Sequence, residues 1–498
     1  MSLEQLYLVL LAGGLVLLAG VVGTRVAHGA GLPSLLLFLA LGVVVGEDGF
    51  GVDFDNAELA RNLGTAALAV ILVEGGLTTK WSDVRKLVAP AGVLATVGIC
   101  VSLVVTAAGA HFLLGFDWQL ALLLGAIVSS TDSAAVFSVL RVLPLPRRVA
   151  GLLEAESGFN DAPTVILVLL FSTTPLVVSP GPLLASLLYQ LVIGVLVGLG
   201  VGWVGGVVLP RLALPASGLY PLASFGLGLV AFAASGAVQA SGFIAAYLCG
   251  VVLANSGLPH RSATRSFAEG LGWLAQIGLF VLLGLLVTPS RLAVEVIPAL
   301  VVGLVLLLVA RPLSVVVSLV WFRIPLREQA FLSWAGLRGA VPIVLGTFPV
   351  VQGVPGSERL LDVVFVLVMV YTVVQGPSLR PAARWLGILP REATREIQVE
   401  AAPLDVLDAE LLSMSVPPGS AMHAVSIREL RLPEPSVVTL VIRDGHTFVP
   451  SPETAIESGD ELLIVTTFSQ RQRTEQRLRA VSRKGRLARW FGERGDPA

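Results

Sequence analysis

Apolar segments of about 20 residues, each long enough to cross a bilayer as a helix, fill the first 384 residues of the chain. A water-soluble fold is excluded because only 13% of the residues are charged and 55% are hydrophobic, whereas a soluble chain carries about 25% charged residues. We therefore predict an all-α polytopic membrane protein with about 13 transmembrane helices, in contact with membrane lipid. The predicted spans are residues 3–23, 31–46, 61–78, 87–113, 118–140, 149–173, 182–210, 219–238, 241–257, 267–288, 292–322, 327–350 and 360–383.

The basic residues of the loops predict the orientation of the chain. If the N-terminus is outside, 14 Lys and Arg residues lie in cytoplasmic loops and three in outer loops, as the positive-inside rule requires. We therefore expect an external N-terminus and a cytoplasmic C-terminus in the cell (inner) membrane. Nucleic-acid binding is disfavoured, because the net charge is -1 and the first 380 residues contain no basic stripe.

The composition becomes polar after Arg384, which predicts a second, soluble domain. Val437–Ile442 and the residues after Asp444-Gly445 are typical of a β-hairpin, and Glu461–Thr466 is typical of a further strand. We therefore expect a small α/β cytoplasmic domain. Its Arg-rich tail is either a helix or a disordered basic segment near anionic lipid. The predicted parts are a transmembrane domain (1–385), a linker (386–401), the soluble domain (402–470) and the tail (471–498).

The fifth span is interrupted by five consecutive polar residues, Ser129 to Ser133. Such residues compete for the backbone hydrogen bonds of the helix, and Asp132 is expensive to bury in a bilayer. A helix broken at this depth is tolerated only where it lines a cavity, so we expect its backbone to face a cation pathway. A helix contact through small residues is the alternative.

The sixth span concentrates polar side chains at Glu154, Glu156, Ser157, Asn160 and Asp161. Helical spacing places Glu156 over Asn160 and Ser157 over Asp161. Burial favours the protonated form of a carboxylate, and the same group can hold a monovalent cation once it is deprotonated. One site with two mutually exclusive occupants is the minimum that exchange requires. The alternative for each carboxylate is permanent neutralisation by a structural partner.

The twelfth span places Arg338 among glycines and a proline, in the string GLRGAVP. A buried guanidinium needs a carboxylate or several carbonyls, and we predict Glu156 as its partner. The fifth and twelfth spans are seven apart and run in opposite directions. Interrupted helices at matching places in two halves indicate an inverted-repeat transporter with two crossed discontinuous helices. Spans 1–6 and 8–13 are then the two halves.

Two further charged residues lie in predicted spans. Glu74, in the third span, either lines the cytoplasmic end of the pathway or is an interfacial residue. Arg311, in the eleventh span, precedes Pro312 and is expected to pair with carbonyl groups that the proline leaves without a donor.

Three motifs together resemble the monovalent cation:proton antiporters, most closely the NhaP-like branch with an Asn-Asp pair in the sixth helix. The motifs are Ser130-Thr131-Asp132, Glu156-Ser157-Gly158-Phe159-Asn160-Asp161 and Gly336-Leu337-Arg338-Gly339-Ala340. The strings SSTDSAAVFSVLR and GLRGAVPIVL are similar to those of bacterial potassium/proton antiporters. The resemblance covers residues 1–385, and residues 417–467 are similar to the RCK-C (TrkA-C) regulatory domain of potassium transporters.

The resemblance implies a homodimer in which a mobile core domain carries the ion site across the membrane. It implies that Asp161 is the carboxylate shared by cation and proton, and that Glu156 and Arg338 form a supporting polar network. The other implied members of the cation- and proton-binding site are Asn160, Ser157, Thr131, Asp132 and Glu74. The Asn-Asp pair implies electroneutral exchange. The RCK-C domain implies regulation by a small cytoplasmic ligand such as a nucleotide, although regulation by NAD is not expected because no GxGxxG occurs between residues 385 and 420.

The leading hypothesis is a secondary antiporter that exchanges a monovalent cation, potassium rather than sodium, for protons without a cofactor. A sodium/proton antiporter of the same fold is one alternative. A ligand-gated potassium channel is another, but it should carry a carbonyl filter such as TVGYG, and Thr96–Cys100 is the nearest string. An enzyme is not expected, because no nucleophile–base pair or metal-ligand spacing is apparent.

Overall fold

The computed structural model describes most of the chain and divides it into a membrane unit, Met1–Leu389, and a C-terminal unit, Pro390–Ala498. The described residues are 3–30, 34–52, 54, 56–132, 143, 145–173, 180–212, 214–389, 399–404, 409–467, 469–488, 490 and 495.

The described part of the membrane unit is built from helices. They are α1 (Leu3–Ala30), α2 (Ser34–Val45), α3 (Ala57–Thr78), α4 (Trp81–Val84), α5 (Val88–Val93), α6 (Ile99–Leu114), α7 (Trp118–Ser129), α8 (Arg147–Phe171), α9 (Pro180–Val208), α10 (Leu219–Ala237), α11 (Gly242–Asn255), α12 (Arg261–Leu285), α13 (Pro289–Val305), α14 (Arg311–Leu319), α15 (Leu326–Trp334), α16 (Ala340–Val351) and α17 (Ser357–Trp385). One π-helical turn, Leu94–Gly98, joins α5 to α6, and a second, Leu306–Ala310, joins α13 to α14.

These helices agree with the predicted spans. In the described part of the chain, eight continuous helical segments are long and apolar enough to cross a membrane, and four shorter apolar helices have 10–17 residues. The remaining predicted span, residues 149–173, corresponds to α8, which carries the charged motif of that span. The predicted polytopic all-α architecture is therefore confirmed. The last part of the fifth predicted span, residues 133–140, lies outside the described residues.

One group of helices, which we call the first bundle, consists of α1–α3 and α9–α12. Glycines bring its helices close together. A Cβ atom added at Gly284 would lie 2.8 Å from the Cα atom of Gly42, and one added at Gly250 would lie 2.9 Å from the backbone nitrogen of Leu77. Since even a methyl group does not fit between these backbones, the bundle is held by tight van der Waals packing.

The second bundle consists of α5–α8 and α13–α17. Its two π-helical turns lie in the fourth and eleventh predicted spans, which are seven spans apart, like the two interrupted spans. The turn Leu94–Gly98 packs against α14, and the turn Leu306–Ala310 packs against α6. This reciprocal packing is what two inverted repeats produce.

The C-terminal unit contains an antiparallel sheet in the order β1-β2-β5-β3-β4, with one helix, α18 (Arg471–Lys484). Its strands are β1 (Val399–Leu404), β2 (Ala409–Ser415), β3 (Val437–Arg443), β4 (His446–Phe448) and β5 (Glu461–Thr467). Leu478 and Val481 of α18 are buried in one core with side chains of β2 and β5. The first part of the Arg-rich tail is therefore a helix.

The predicted hairpin is present in the C-terminal unit. Arg443 pairs with His446, and the two residues between them, Asp444 and Gly445, have φ angles of 50° and 79°. Two positive φ angles are typical of the type I′ turn that Asp-Gly favours. The small separate α/β domain is confirmed.

Candidate functional site

Two non-helical segments meet inside the second bundle. The helix α7 ends at Ser129 and is followed by the non-helical residues 130–132, while residues 335–339 separate α15 from α16. The backbone N–H of Asp132 donates to the carbonyl oxygen of Leu337, 3.0 Å away. The two helices that the sequence predicted to be interrupted therefore meet at their interruptions.

Glycines allow this close crossing. A Cβ atom at Gly339 would collide with the carboxylate of Asp132, and one at Gly336 would lie 2.7 Å from Nε of Arg311. Only a residue without a side chain lets the chain pass both groups. The glycines of the GLRGAVP string are therefore required by the charged side chains packed beside them.

Each broken helix end faces a charge of the opposite sign. Oδ2 of Asp132 accepts a hydrogen bond of 2.8 Å from the N–H of Ala340, the first residue of α16. Nη1 of Arg338 donates to the carbonyl oxygen of Ser129, the last residue of α7, at 2.8 Å. A negative charge at a helix N-terminus and a positive charge at a helix C-terminus each interact favourably with the helix dipole.

Asp161 lies on α8 beside the non-helical segment of residues 130–132, and only 3% of its surface is exposed. Oγ of Ser130 donates to Oδ1 of Asp161 at 2.8 Å. Nδ2 of Asn160 donates to Oγ1 of Thr131, and Oγ of Ser157 donates to the carbonyl oxygen of Thr131 at 3.3 Å. We call these five residues, Ser130, Thr131, Ser157, Asn160 and Asp161, the Asp161 cluster.

The Asp161 cluster offers one carboxylate surrounded by neutral oxygen atoms. Among the described residues no Lys or Arg forms an ion pair with Asp161, and its hydrogen bond comes from a hydroxyl group. Carboxylate, hydroxyl and carbonyl oxygens are the ligands that hard cations prefer. A buried carboxylate without a cationic partner must otherwise be protonated, because an isolated charge is costly in an apolar interior. The arrangement can thus take up either a cation or a proton.

Glu156 pairs with Arg311, so the predicted pairing of Glu156 with Arg338 is wrong. The two guanidinium Nη atoms of Arg311 donate to the two carboxylate oxygens of Glu156, with Nη2 2.8 Å from Oε2. Both side chains are buried. Arg338 is instead directed to the carbonyl oxygen of Ser129, which the end of α7 leaves without a helical donor.

The expectation for Arg311 is corrected as well. Its one backbone contact, to the carbonyl oxygen of Leu332, is long at 3.4 Å, whereas its contact with Glu156 is bidentate. A bidentate carboxylate pair is stronger than a single long hydrogen bond. The sequence contained a signal for this pair, because Arg311 is a second arginine in an apolar span and is equally able to neutralise Glu156.

Glu74 is buried in α3 of the first bundle. It packs against α12, because a Cβ atom added at Gly272 would lie 2.9 Å from the Cγ atom of Glu74. None of the hydrogen bonds that define the Asp161 cluster involves Glu74. The structure thus brings together Thr131, Ser157, Asn160 and Asp161, with Asp132 and Arg338 at the adjoining helix ends, and places Glu74 in the other bundle.

Ser130 is the residue of the cluster that the sequence analysis did not assign to the ion site. It follows the last helical residue of α7, so its side chain and that of Thr131 both reach α8. Taken together, the crossed broken helices, the reciprocal repeats and the oxygen-lined carboxylate define a secondary transporter of cations.

Comparisons with known proteins give the family. The family model for the transmembrane part of sodium/hydrogen exchangers matches residues 14–385, and the TrkA-C domain model matches residues 411–479. The potassium/proton antiporter NhaP of Alkalimonas amylolytica is 37% identical over 476 residues, which cover 93% of this chain and 82% of the relative. The potassium/proton antiporter NhaP2 of Shewanella sp. (strain ANA-3) is 34% identical over 497 residues, covering 97% and 85%.

A solved structure shares the fold of the membrane unit. The sodium proton antiporter MjNhaP1 from Methanocaldococcus jannaschii at pH 8 superimposes with a TM-score of 0.67 at 22% identity, over 77% of this chain and 99% of that chain. The chain belongs to the sodium/hydrogen exchanger family and is a cation/proton antiporter of the NhaP type. It is accordingly a multi-pass membrane protein and a secondary transporter rather than an enzyme or a channel.

Proposed function

We propose that the protein exchanges potassium for protons, one for one, at the Asp161 cluster. The observation that carries this proposal is the buried carboxylate of Asp161, which contacts a neutral hydroxyl and no basic side chain among the described residues. In the proposed cycle Asp161 releases a proton before it binds a cation. The loaded cluster then becomes accessible from the other side of the membrane, and the occupants are exchanged.

The neighbours of Asp161 have separate roles in this proposal. The hydroxyl of Ser157 and the backbone carbonyl of Thr131 coordinate the cation with Asp161, and Asn160 orients Thr131 through its amide. Asp132 balances the facing helix ends, and Glu156 and Arg338 belong to the polar network that supports the crossing. Glu74, which lies on α3 of the first bundle, adds a carboxylate to the cation pathway.

The charges around the crossing support electroneutral exchange. Asp132 and Glu156 carry two negative charges, and Arg311 and Arg338 carry two positive charges, so these four fixed charges cancel. Within the Asp161 cluster and the crossing, the carboxylate of Asp161 is then the negative charge that these four groups do not balance, and a proton or one monovalent cation neutralises it. The empty, deprotonated cluster carries a net charge that is costly to move through a low-dielectric region. Only the loaded forms therefore cross readily, which is what couples the two fluxes.

Potassium is the proposed cation because both curated relatives described above are named potassium/proton antiporters. Sodium is the second candidate, since the family model that matches the membrane unit is described as a sodium/hydrogen exchanger. An oxygen cluster of this kind accepts either ion, and discrimination depends on small differences in coordination geometry.

We further propose that the protein is a homodimer of the cell membrane, with its N-terminus outside and its C-terminus in the cytoplasm. The TrkA-C domain would then lie in the cytoplasm and regulate exchange by binding a small ligand such as a nucleotide. The excess of basic residues in the loops on one side supports this orientation.

The test uses purified protein in liposomes that contain a trapped pH dye, challenged in turn with potassium, sodium and lithium. Asp161→Asn removes the ionisable group and keeps the side-chain size, so we expect exchange to fall to the level of protein-free liposomes. Asp362→Asn is the matched control and should keep exchange, because Asp362 lies on α17 and its charged neighbours, Arg291, Glu295 and Glu358, do not belong to the cluster. Exchange by Asp161→Asn at the rate of the unmodified protein would overturn the site assignment.

A further inference from the structure

One side-chain hydrogen bond joins the two bundles close to the Asp161 cluster. Thr79 follows the last residue of α3 in the first bundle, and its Oγ1 atom lies 2.6 Å from Oε1 of Glu154 on α8. The same hydroxyl lies 2.7 Å from the carbonyl oxygen of Gly75, so its one proton is donated either to Glu154 or within its own helix. Thr79 is only 2% exposed. Its carbonyl oxygen accepts a hydrogen bond of 3.1 Å from Nδ2 of Asn255, the last residue of α11. Thr79 is thus held by the first bundle, while Glu154 belongs to the helix that carries Asp161.

An aromatic ring lies between this contact and Asp161. Glu154, Gly158 and Asp161 are spaced by four and three residues, so they follow one face of α8. The ring of Tyr247, on α11, covers Gly158, because a Cβ atom added at Gly158 would lie 2.8 Å from the Cζ atom of Tyr247. Glu154 and Asp161 are separated by about 10 Å along the helix axis. A cation that followed this face of α8 from the end nearest residues 79–86 would meet the ring before it reached Asp161.

The ring of Tyr247 is tightly packed, and its hydroxyl group lies close to the contact between the bundles. Only 2% of the residue is exposed, and its hydroxyl group is near the side chains of Thr79 and Glu154. Separation of Thr79 from Glu154 would therefore change the surroundings of this hydroxyl group as well. The ring makes an edge contact with Phe159, with centroids 5.8 Å apart.

We propose that Tyr247 is the gate between Asp161 and the end of the membrane unit that carries residues 79–86, and that the hydrogen bond from Thr79 to Glu154 holds this gate closed. The inference rests on the proposed function, in that Asp161 is the site to which the gate controls access. Opening requires α8 and α11 to separate, which breaks the contact between Thr79 and Glu154. These residues are positioning residues, since none of them holds the cation.

Loss of the hydrogen bond should shift the balance between the two access states. A substitution that destabilises only the state in which Asp161 is closed off from the end with residues 79–86 increases the population of the state that is open to this end. The cation concentration for half-maximal exchange should then decrease at the face that carries residues 79–86 and increase at the opposite face. A merely structural defect would reduce the amount of active protein and leave both half-saturating concentrations unchanged.

The first test measures potassium-driven exchange from each face separately, in liposomes of known protein orientation. For Thr79→Val we expect the two half-saturating concentrations to move in opposite directions, each by about fivefold, the effect of losing roughly one hydrogen bond. Thr79→Ser keeps the hydroxyl and should keep both values. The matched control is Thr78→Val, because the Thr78 hydroxyl donates only to carbonyl groups of its own helix. If Thr79→Val moves neither value, or moves both in the same direction, the proposal is overturned.

A second set of variants tests the partners. Glu154→Ala removes the acceptor, and the double variant with Thr79→Val should shift the values no further than either single variant, because both delete the same contact. Tyr247→Ala should give a shift in the same direction, whereas Tyr247→Phe keeps the ring and should not. Phe243→Ala, one turn earlier on α11, controls for loss of a buried ring. Additive shifts in the double variant, or equal behaviour of Tyr247→Ala and Phe243→Ala, would contradict the gate.

Asp161→Asn is measured in parallel so that the two proposals can fail separately. Exchange by Asp161→Asn with opposite shifts in Thr79→Val would overturn the ion site and support the gate. Loss of exchange in Asp161→Asn with no shift in Thr79→Val would support the ion site and overturn the gate.

Discussion

At residue scale, the buried bidentate pair of Glu156 and Arg311 is a contact on which the stability of the membrane unit depends. It ties α8, the helix of the ion cluster, to the start of α14, directly after a π-helical turn. A buried ion pair adds little compared with apolar side chains of the same size, but removing one partner leaves an uncompensated charge. The cost of a single substitution here is therefore much larger than the net contribution of the pair.

We predict that Glu156→Gln lowers the free energy of unfolding by about 3–5 kcal/mol, because Arg311 stays buried without a carboxylate. Thermal unfolding in detergent should report the loss. The exposed pair of Arg265 and Glu269 gives the control, since Glu269→Gln should change stability by less than about 1 kcal/mol. The double variant Glu156→Met with Arg311→Met should recover much of the stability, and its failure to do so would show that the pair has more than a charge-balancing role.

At the scale of elements, the crossing of the two interrupted helices depends on how closely two backbones approach. The segment of residues 335–339 passes Asp132 and Arg311 at distances that leave no space for a side chain at Gly336 or Gly339. The crossing also unites both helix ends with their compensating charges. Geometry and electrostatics at this place therefore cannot be changed independently.

Gly339→Ala should disturb the crossing, because the added methyl group collides with the carboxylate of Asp132. Overpacking of this kind costs about 1–3 kcal/mol, and we expect exchange to fall even where the protein still folds. Gly226→Ala is the control, because a Cβ atom there meets nothing within 4 Å. Liposome exchange and thermal unfolding, measured on the same preparations, check both effects. Equal exchange by the two variants would show that the crossing tolerates a side chain.

Much of this architecture could be predicted because its signals are local. Polar strings and glycines inside apolar runs indicated both broken helices, and Asp444-Gly445 between two apolar runs indicated the hairpin. The strands β1 and β2 were not predicted, because their Ala, Glu and Leu residues have no strong preference for strands. The partner of Glu156 was predicted incorrectly because two arginines were available and the choice depends on packing between residues distant in sequence. The roles of the Asp161 cluster residues remain predictions.

At the scale of the whole molecule, the cancelling charges at the crossing predict that exchange moves no net charge. Addition of potassium or sodium to liposomes that contain a trapped pH dye should change the internal pH without changing the signal of a voltage-sensitive dye. A pore such as gramicidin, added to the same liposomes, serves as the positive control for detecting a membrane potential. A membrane potential that develops with the cation gradient in the absence of the pore would contradict the charge balance and favour a different stoichiometry.

The same neutral balance of Asp132, Glu156, Arg311 and Arg338 has a consequence for the cell. An exchanger that carries no charge draws nothing from the membrane voltage, so the concentration ratios alone determine its direction. A tenfold potassium ratio offsets about one pH unit, because each corresponds to about 1.4 kcal/mol. Under the proposed exchange of potassium for protons, a cell rich in potassium would take up acid through this protein and so withstand alkaline surroundings.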